Sequence, residues 1–194
     1  MPRDATKTRN RILDAANRLF YAEGIRAVGV DAVAEKAGVT KRTLYYHFRS
    51  KDDLIAGYLE SRDQPNLRAF REWYDAATGT AADKTRALFS GVAGASRRPG
   101  WRGCGFLRTA AELANKPGHP AVTIGRAHKQ RFEAWLEGRY RQAGIEKPAR
   151  LARQVVLLMD GAFSTMLIHR DSSYIDAAGE AADTLVSSRL PTSP

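Results

Sequence analysis

Thr40, Lys41, Arg42, Thr43, Tyr45, Tyr46, His47 and Lys51 carry most of the chemistry legible in this chain. At about 3.6 residues per turn, the stretch from Lys41 to His47 makes barely two turns of one helix. Lysine and arginine supply cations, threonine and tyrosine supply hydroxyls, histidine a ring N–H, and the tyrosines flat faces. Such a set suits a polyanion that also offers hydrogen-bonding edges. On a helix it suits a DNA groove, where cations pair with phosphate and short donors reach the bases.

Short helices must hold these residues in place. Val30, Val33, Ala34 and Ala37 recur at helical spacing and predict a helix closed by Gly38. Thr40 is a natural N-cap for the next helix, which runs to about His47 and buries Leu44. Across the Gly38-Val39 turn, Val33, Ala34 and Ala37 face Leu44, and the small residues let the helices cross closely, as in a helix-turn-helix. Upstream, Ile12, Leu13, Ala16, Leu19 and Phe20 predict a first helix stopped at Gly24, with Arg9, Arg11 and Arg18 on its other faces. Downstream, Ser50 and Asp53 form a capping box that opens a fourth helix with Leu54, Ile55, Tyr58 and Leu59 inward. Phe48 is expected in the core, locking the end of the recognition helix against helices one and four.

The charge agrees with this placement. The 194 residues carry a formal net charge of +10, and residues 1–51 hold eleven Lys/Arg against five Asp/Glu. A basic N-terminal quarter favours a polyanionic partner, because phosphate neutralisation releases counterions.

On these residues the sequence resembles the DNA-binding domain of the tetracycline-repressor (TetR) family. The resemblance rests on Val33-Ala34, Ala37-Gly38-Val39, Tyr45-x-His47-Phe48 and Ser50-Lys51, and covers roughly residues 10–58. It implies an all-α fold: a three-helix helix-turn-helix DNA-binding domain over residues 1–50, then a larger helical ligand-binding and dimerisation domain over 51–194. It implies that Thr40 caps the recognition helix and touches a phosphate, and that Lys41, Arg42 and Thr43 lie nearest the base edges. Tyr45, Tyr46 and His47 then combine base contacts with phosphate hydrogen bonds, and Lys51 approaches the backbone. One departure stands out. Many relatives place Thr or Ser just before helix two, where this chain has Gly29, so a side-chain phosphate contact is missing there. The implied protein is a homodimeric bacterial regulator of transcription, a repressor released from a palindromic operator by a small-molecule effector.

Beyond residue 58 the resemblance is one of architecture. Pro65 either kinks helix four or starts a new segment. Thr80 and Asp83 form a second capping box. Short and long helices follow over about 106–114, from Pro120 to Gly144, over 148–170 and from Ser173 onward. Phe70, Tyr74, Phe89, Trp101, Cys104, Phe106, Trp135, Met159, Phe163 and Met166 are the candidates for an effector cavity, against plain core packing at most single positions. The helices around 148–170 and 173–187 are expected to form the homodimer interface.

Composition narrows the classes further. Cys104 is the single cysteine, which excludes an intrachain disulfide and fits a cytoplasmic setting. No signal peptide is visible, no apolar run reaches about 20 residues, and no membrane partner is expected. His119, His128 and His169 lack metal-ligand spacing, and no HExxH, nucleophile elbow, Walker A or GxGxxG occurs, so neither cofactor nor enzyme activity is expected. A DNA-binding activator or a nucleoid-type protein without an effector shares the same reading helix. A helical enzyme or carrier fits least.

Overall fold

The structure is a computed structural model that describes residues 2–191, with side chains from residue 5 onward. The described residues form nine helices: α1 (Pro2–Glu23), α2 (Val30–Lys36), α3 (Lys41–His47), α4 (Lys51–Ala76), α5 (Ala81–Ser96), α6 (Gly105–Glu112), α7 (Pro120–Gln142), α8 (Pro148–His169) and α9 (Ser173–Ser187). They divide into two compact units. The first comprises residues 1–64 and 104–126, the second 65–103 and 127–194. By compactness, then, the first unit runs past residue 50 and takes in α6.

In the first unit, α1 buries Ile12, Ala16 and Phe20, α2 buries Val33 and Ala34, and α3 buries Leu44. Each fully buried aliphatic or aromatic side chain contributes about 1.5–3 kcal/mol relative to exposure. Phe20 meets Tyr58 of α4 edge-on at 5.6 Å. The α4 backbone comes so close to Phe48 that a Cβ on Gly57 would sit 3.0 Å from the Phe48 ring and 3.2 Å from Leu13. α6 joins this unit through polar contacts that the sequence does not announce. Arg108 donates to the Tyr21 carbonyl at 2.6 Å. The Arg26 amide donates to Glu112 at 2.9 Å, and its guanidinium reaches Asn115.

Pro65 does not end a helix: α4 is continuous through it. Proline removes the bond to the carbonyl four residues earlier, that of Ser61. Ser61 and Pro65 are both exposed residues.

The second unit is held by aromatic pairs and by α9. Phe70 packs on Phe132 at 4.8 Å, and Tyr74 meets Trp135 edge-on at 5.2 Å. The fully buried Tyr140 shares a 3.0 Å hydrogen bond with Thr85, and burial pushes its phenol pKa up. Tyr74 is pushed up to about 12 by the same cause. Phe89 lies under α9, where a Cβ on Gly179 would approach its own Cβ to 2.8 Å. The capping box at α5 is complete. Asp83 N–H donates to the Thr80 hydroxyl, and the Thr80 hydroxyl and then its N–H, both donating to the Asp83 carboxylate, hold the Asp83 pKa below the usual carboxylate value.

α8 corrects the apolar-run count. It is long and apolar enough to cross a bilayer by length and composition. Its Leu151, Ala152, Val155 and Met159 are completely buried, however, and Asp160 pairs with Lys129 of α7. One face of α8 is therefore core, while Leu157 and Ile168 of the same helix stay open.

Candidate nucleic-acid interface

The candidate recognition helix is set by its ends. Thr40 has extended backbone, and its hydroxyl accepts the Thr43 N–H at 3.1 Å. The same oxygen lies 2.9 Å from the Thr43 hydroxyl, so the two threonines form one polar unit at the start of α3. Gly38, at φ +62°, makes the turn before it in a conformation that side chains disfavour. At the far end Phe48 leaves the helix as an extended C-cap and is buried, with the Arg9 guanidinium 4.9 Å over its ring. Leu44 fixes the rotation of α3 by facing the core, which turns the remaining side chains outward.

Those outward side chains include most of the expected set. Lys41, Arg42, Tyr45 and Tyr46 are exposed, Tyr46 to 81% and Tyr45 to 42%; neither tyrosine packs inward. A ring so open gains little from folding. Tyr46 and His47 meet edge to face at 5.2 Å, which limits the swing of both. Thr43 and His47 are half-buried, as is Lys51 in the first turn of α4. That turn is capped from both directions: Asp53 N–H donates to Ser50 Oγ at 3.0 Å, and Asp53 accepts the Arg49 N–H at 2.9 Å. The carboxylate thus reaches one residue further back than a simple capping box requires.

Three features of this surface depend on tertiary meetings. Arg11, expected on an open face of α1, donates to the Ala37 carbonyl at 2.9 and 3.3 Å and to the Gly38 carbonyl at 3.0 Å. It therefore binds the last carbonyls of α2 and the turn that leads to α3. Lys41 is held by Asp31 of α2, Nζ lying 2.9 Å from Oδ1 and 3.1 Å from Oδ2. The hydrogen bond to Asp31, and then its charge, raise the Lys41 pKa above the ordinary lysine value. His119 is buried, and its Nδ1 accepts the Ala121 N–H at 3.1 Å, capping α7, while Nε2 lies 3.2 Å from Asp52 in the first turn of α4. At the head of α2, Gly29 caps by backbone alone, and the space where its Cβ would stand is empty within 4 Å.

The sequence profile of the bacterial regulatory proteins of the tetR family matches residues 12–58, the stretch that holds α2, α3 and the start of α4. The regulator SrpR of Pseudomonas putida is 42% identical over 62 residues, which span 32% of this chain and 29% of SrpR. TtgR of Pseudomonas putida is 40% identical over 58 residues, or 28% of its length. The match thus spans under a third of either curated relative. A likeness over the whole length comes from the crystal structure of SCO4454, a TetR-family transcriptional regulator of Streptomyces coelicolor. It is 33% identical, with a TM-score of 0.82, and the alignment covers 95% of this chain and 96% of that one. The chain belongs to the TetR family of transcriptional regulators.

In this TetR-family chain the ten effector candidates are divided between the two units. Phe70, Tyr74 and Trp135 share the aromatic group around Phe132 in the second unit. Trp101 stacks on Phe163 at 6.2 Å, with Lys129 Nζ 5.8 Å over the Phe163 ring. Phe89 and Met159 are completely buried, and Met166 nearly so. Cys104 and Phe106 are buried at the start of α6, in the first unit. Among the described residues no group of His, Cys, Asp or Glu is arranged to hold a metal ion.

Proposed function

We propose that this TetR-family chain is a site-specific DNA-binding regulator acting as a homodimer in the bacterial cytoplasm, most simply as a repressor. Residues 1–50 serve as the DNA-reading part and residues 51–194 as the effector-binding and dimerising part. The observation that carries the reading is α3: a capped, core-anchored helix whose free faces bear Lys41, Arg42, Tyr45 and Tyr46. In the major groove, Lys41, Arg42 and Thr43 lie nearest the bases. Tyr45, Tyr46 and His47 add base and phosphate contacts, and Thr40 and Lys51 meet the backbone.

The dimer is assigned to α8 and α9. Leu157 at 67%, Ile168 at 76% and Tyr174 at 39% are large apolar residues left open on these two helices. A groove of about 460 Å³ runs between them, lined by Leu157, Leu158, Gly161, Ala162, Tyr174 and Leu185. Gly161 has nothing within 4 Å of its Cβ position, so a second helix can approach closely there. A two-fold dimer presents two α3 helices to half-sites about one helical turn apart. A small apolar or amphipathic effector, drawn to the aromatic groups of the second unit, favours a dimer shape that no longer matches the operator. Release requires that the effector bind the two shapes with different affinity.

Selection of bound sequences from a random duplex library at physiological salt tests the reading. A strongly enriched palindrome is the expected result. Salt-sensitive binding with no enriched sequence contradicts site-specific regulation.

A further inference from the structure

Asp31 and Lys41 link the start of α2 to the start of α3, and the link lies on the surface assigned to DNA. α3 itself, Lys41 to His47, contains no acid, so Asp31 brings a carboxylate to a helix that otherwise offers cations, hydroxyls and rings. Both Asp31 oxygens lie on the Lys41 ammonium, at 2.9 and 3.1 Å. The side chains are 73% and 54% exposed, so the pair adds little to stability. Asp31 is also the acid in the first turn of α2, where its charge suits the helix N-terminus, yet facing a polyanion that charge adds repulsion to every complex.

We propose that Asp31 is a specificity-determining residue: it holds Lys41 for neutral base acceptors and penalises complexes in which Lys41 pairs with phosphate. This rests on the reading of α3 as the DNA-recognition helix. An ammonium has three N–H donors in all directions and binds phosphate as a point charge, without regard to sequence. A phosphate that captures Lys41 must either draw it off Asp31 or approach the carboxylate, and both are unfavourable. Guanine O6 and N7 are neutral acceptors, and they can take a remaining N–H while the pair stays intact. The carboxylate therefore weakens random backbone binding more than base-directed binding, and specificity is that difference. The neighbouring Arg42 has no such partner among the described residues, so it supplies the general attraction that Lys41 is restrained from giving.

The test compares the full chain with Asp31→Asn by fluorescence anisotropy, against the selected duplex and a scrambled duplex of equal length, over a range of salt. Asparagine keeps the size of the side chain and suits the first turn of a helix, so the fold is retained. In Asp31→Asn, binding to scrambled DNA should tighten roughly tenfold, its log–log salt slope should steepen by about one, and the specific-to-nonspecific ratio should fall about fivefold. In a Lys41→Met background the same substitution should leave the ratio unchanged. A ratio unaffected by Asp31→Asn overturns the proposal, as does an equal fall in the Lys41→Met background. A wild-type ratio near one contradicts the DNA reading itself, and the restraint with it.

Discussion

The two compact units hold their candidate functional residues by different means. In the first, α3 is fixed mainly through backbone and ends: the Thr40 cap, the Gly38 turn, the Phe48 C-cap and the Arg11 hydrogen bonds to Ala37 and Gly38. Of the side chains proposed for DNA, Lys41, Arg42, Tyr45 and Tyr46 are left open to solvent, while Thr43, His47 and Lys51 are half-buried. In the second, aromatic side chains fix one another, as in Phe70 on Phe132 and Trp101 on Phe163, and no backbone motif marks them out. A surface that reads a regular polymer must present preset geometry, so its scaffold recurs as a recognisable motif. A body that binds a particular small molecule can change its side chains freely while the helices stay. The profile match is confined to residues 12–58, within the first unit, while the fold likeness spans nearly the whole chain.

Substitutions can break or sharpen this contrast. Phe48→Ala should have the largest effect, a loss of about 3–5 kcal/mol for a buried phenylalanine. Hydrogen exchange should show it in α1 to α4 before α8 and α9; uniform loss would merge the two units into one cooperative block. Tyr46→Ala should weaken operator binding by about 1–3 kcal/mol while thermal stability and the dimer are retained, because the ring is 81% exposed. Wild-type affinity in that variant would remove α3 from the DNA assignment. In the second unit Thr80→Ala should lower stability by about 1 kcal/mol through loss of the α5 capping box, with operator affinity unchanged. Lys51→Met should weaken specific and random DNA alike and flatten the log–log salt slope by about one, readable in the same anisotropy titrations. Gly29→Ser is the smallest change and runs the other way. Its Cβ enters open space, and the added hydroxyl should stabilise α2 by a few tenths of a kcal/mol and tighten DNA binding through one new phosphate contact. Unchanged binding would place the head of α2 away from the backbone.

What could be seen in the sequence was what local chemistry dictates. Thr40, Ser50 with Asp53, Thr80 with Asp83, Gly24 and Gly38 each mark a helix end through bonds within a few residues, and each sits at the end it predicts. Leu44 and Phe48 could be assigned to the core because period and motif agree. Less could be said where residues far apart in sequence meet. Arg11 and Ala37 stand 26 residues apart, and Arg26 and Glu112 stand 86 apart, so neither bond has a local signal. Asp31 and Lys41 are only 10 apart, yet they pair because two helices cross, not because of spacing on one. Pro65 shows a local rule outweighed. α4 continues past it at an exposed position, and exposure is not set by residue type.

In the proposed complex α3 reads bases in the major groove from two symmetric copies of this chain. Guanine N7 methylation protection on the selected duplex tests it most directly, since N7 lies in that groove. Two patches of protection about one helical turn apart are expected, with the symmetry-related positions lost together in Arg42→Ala. A single patch, or protection that survives Arg42→Ala and Tyr46→Ala alike, would contradict it.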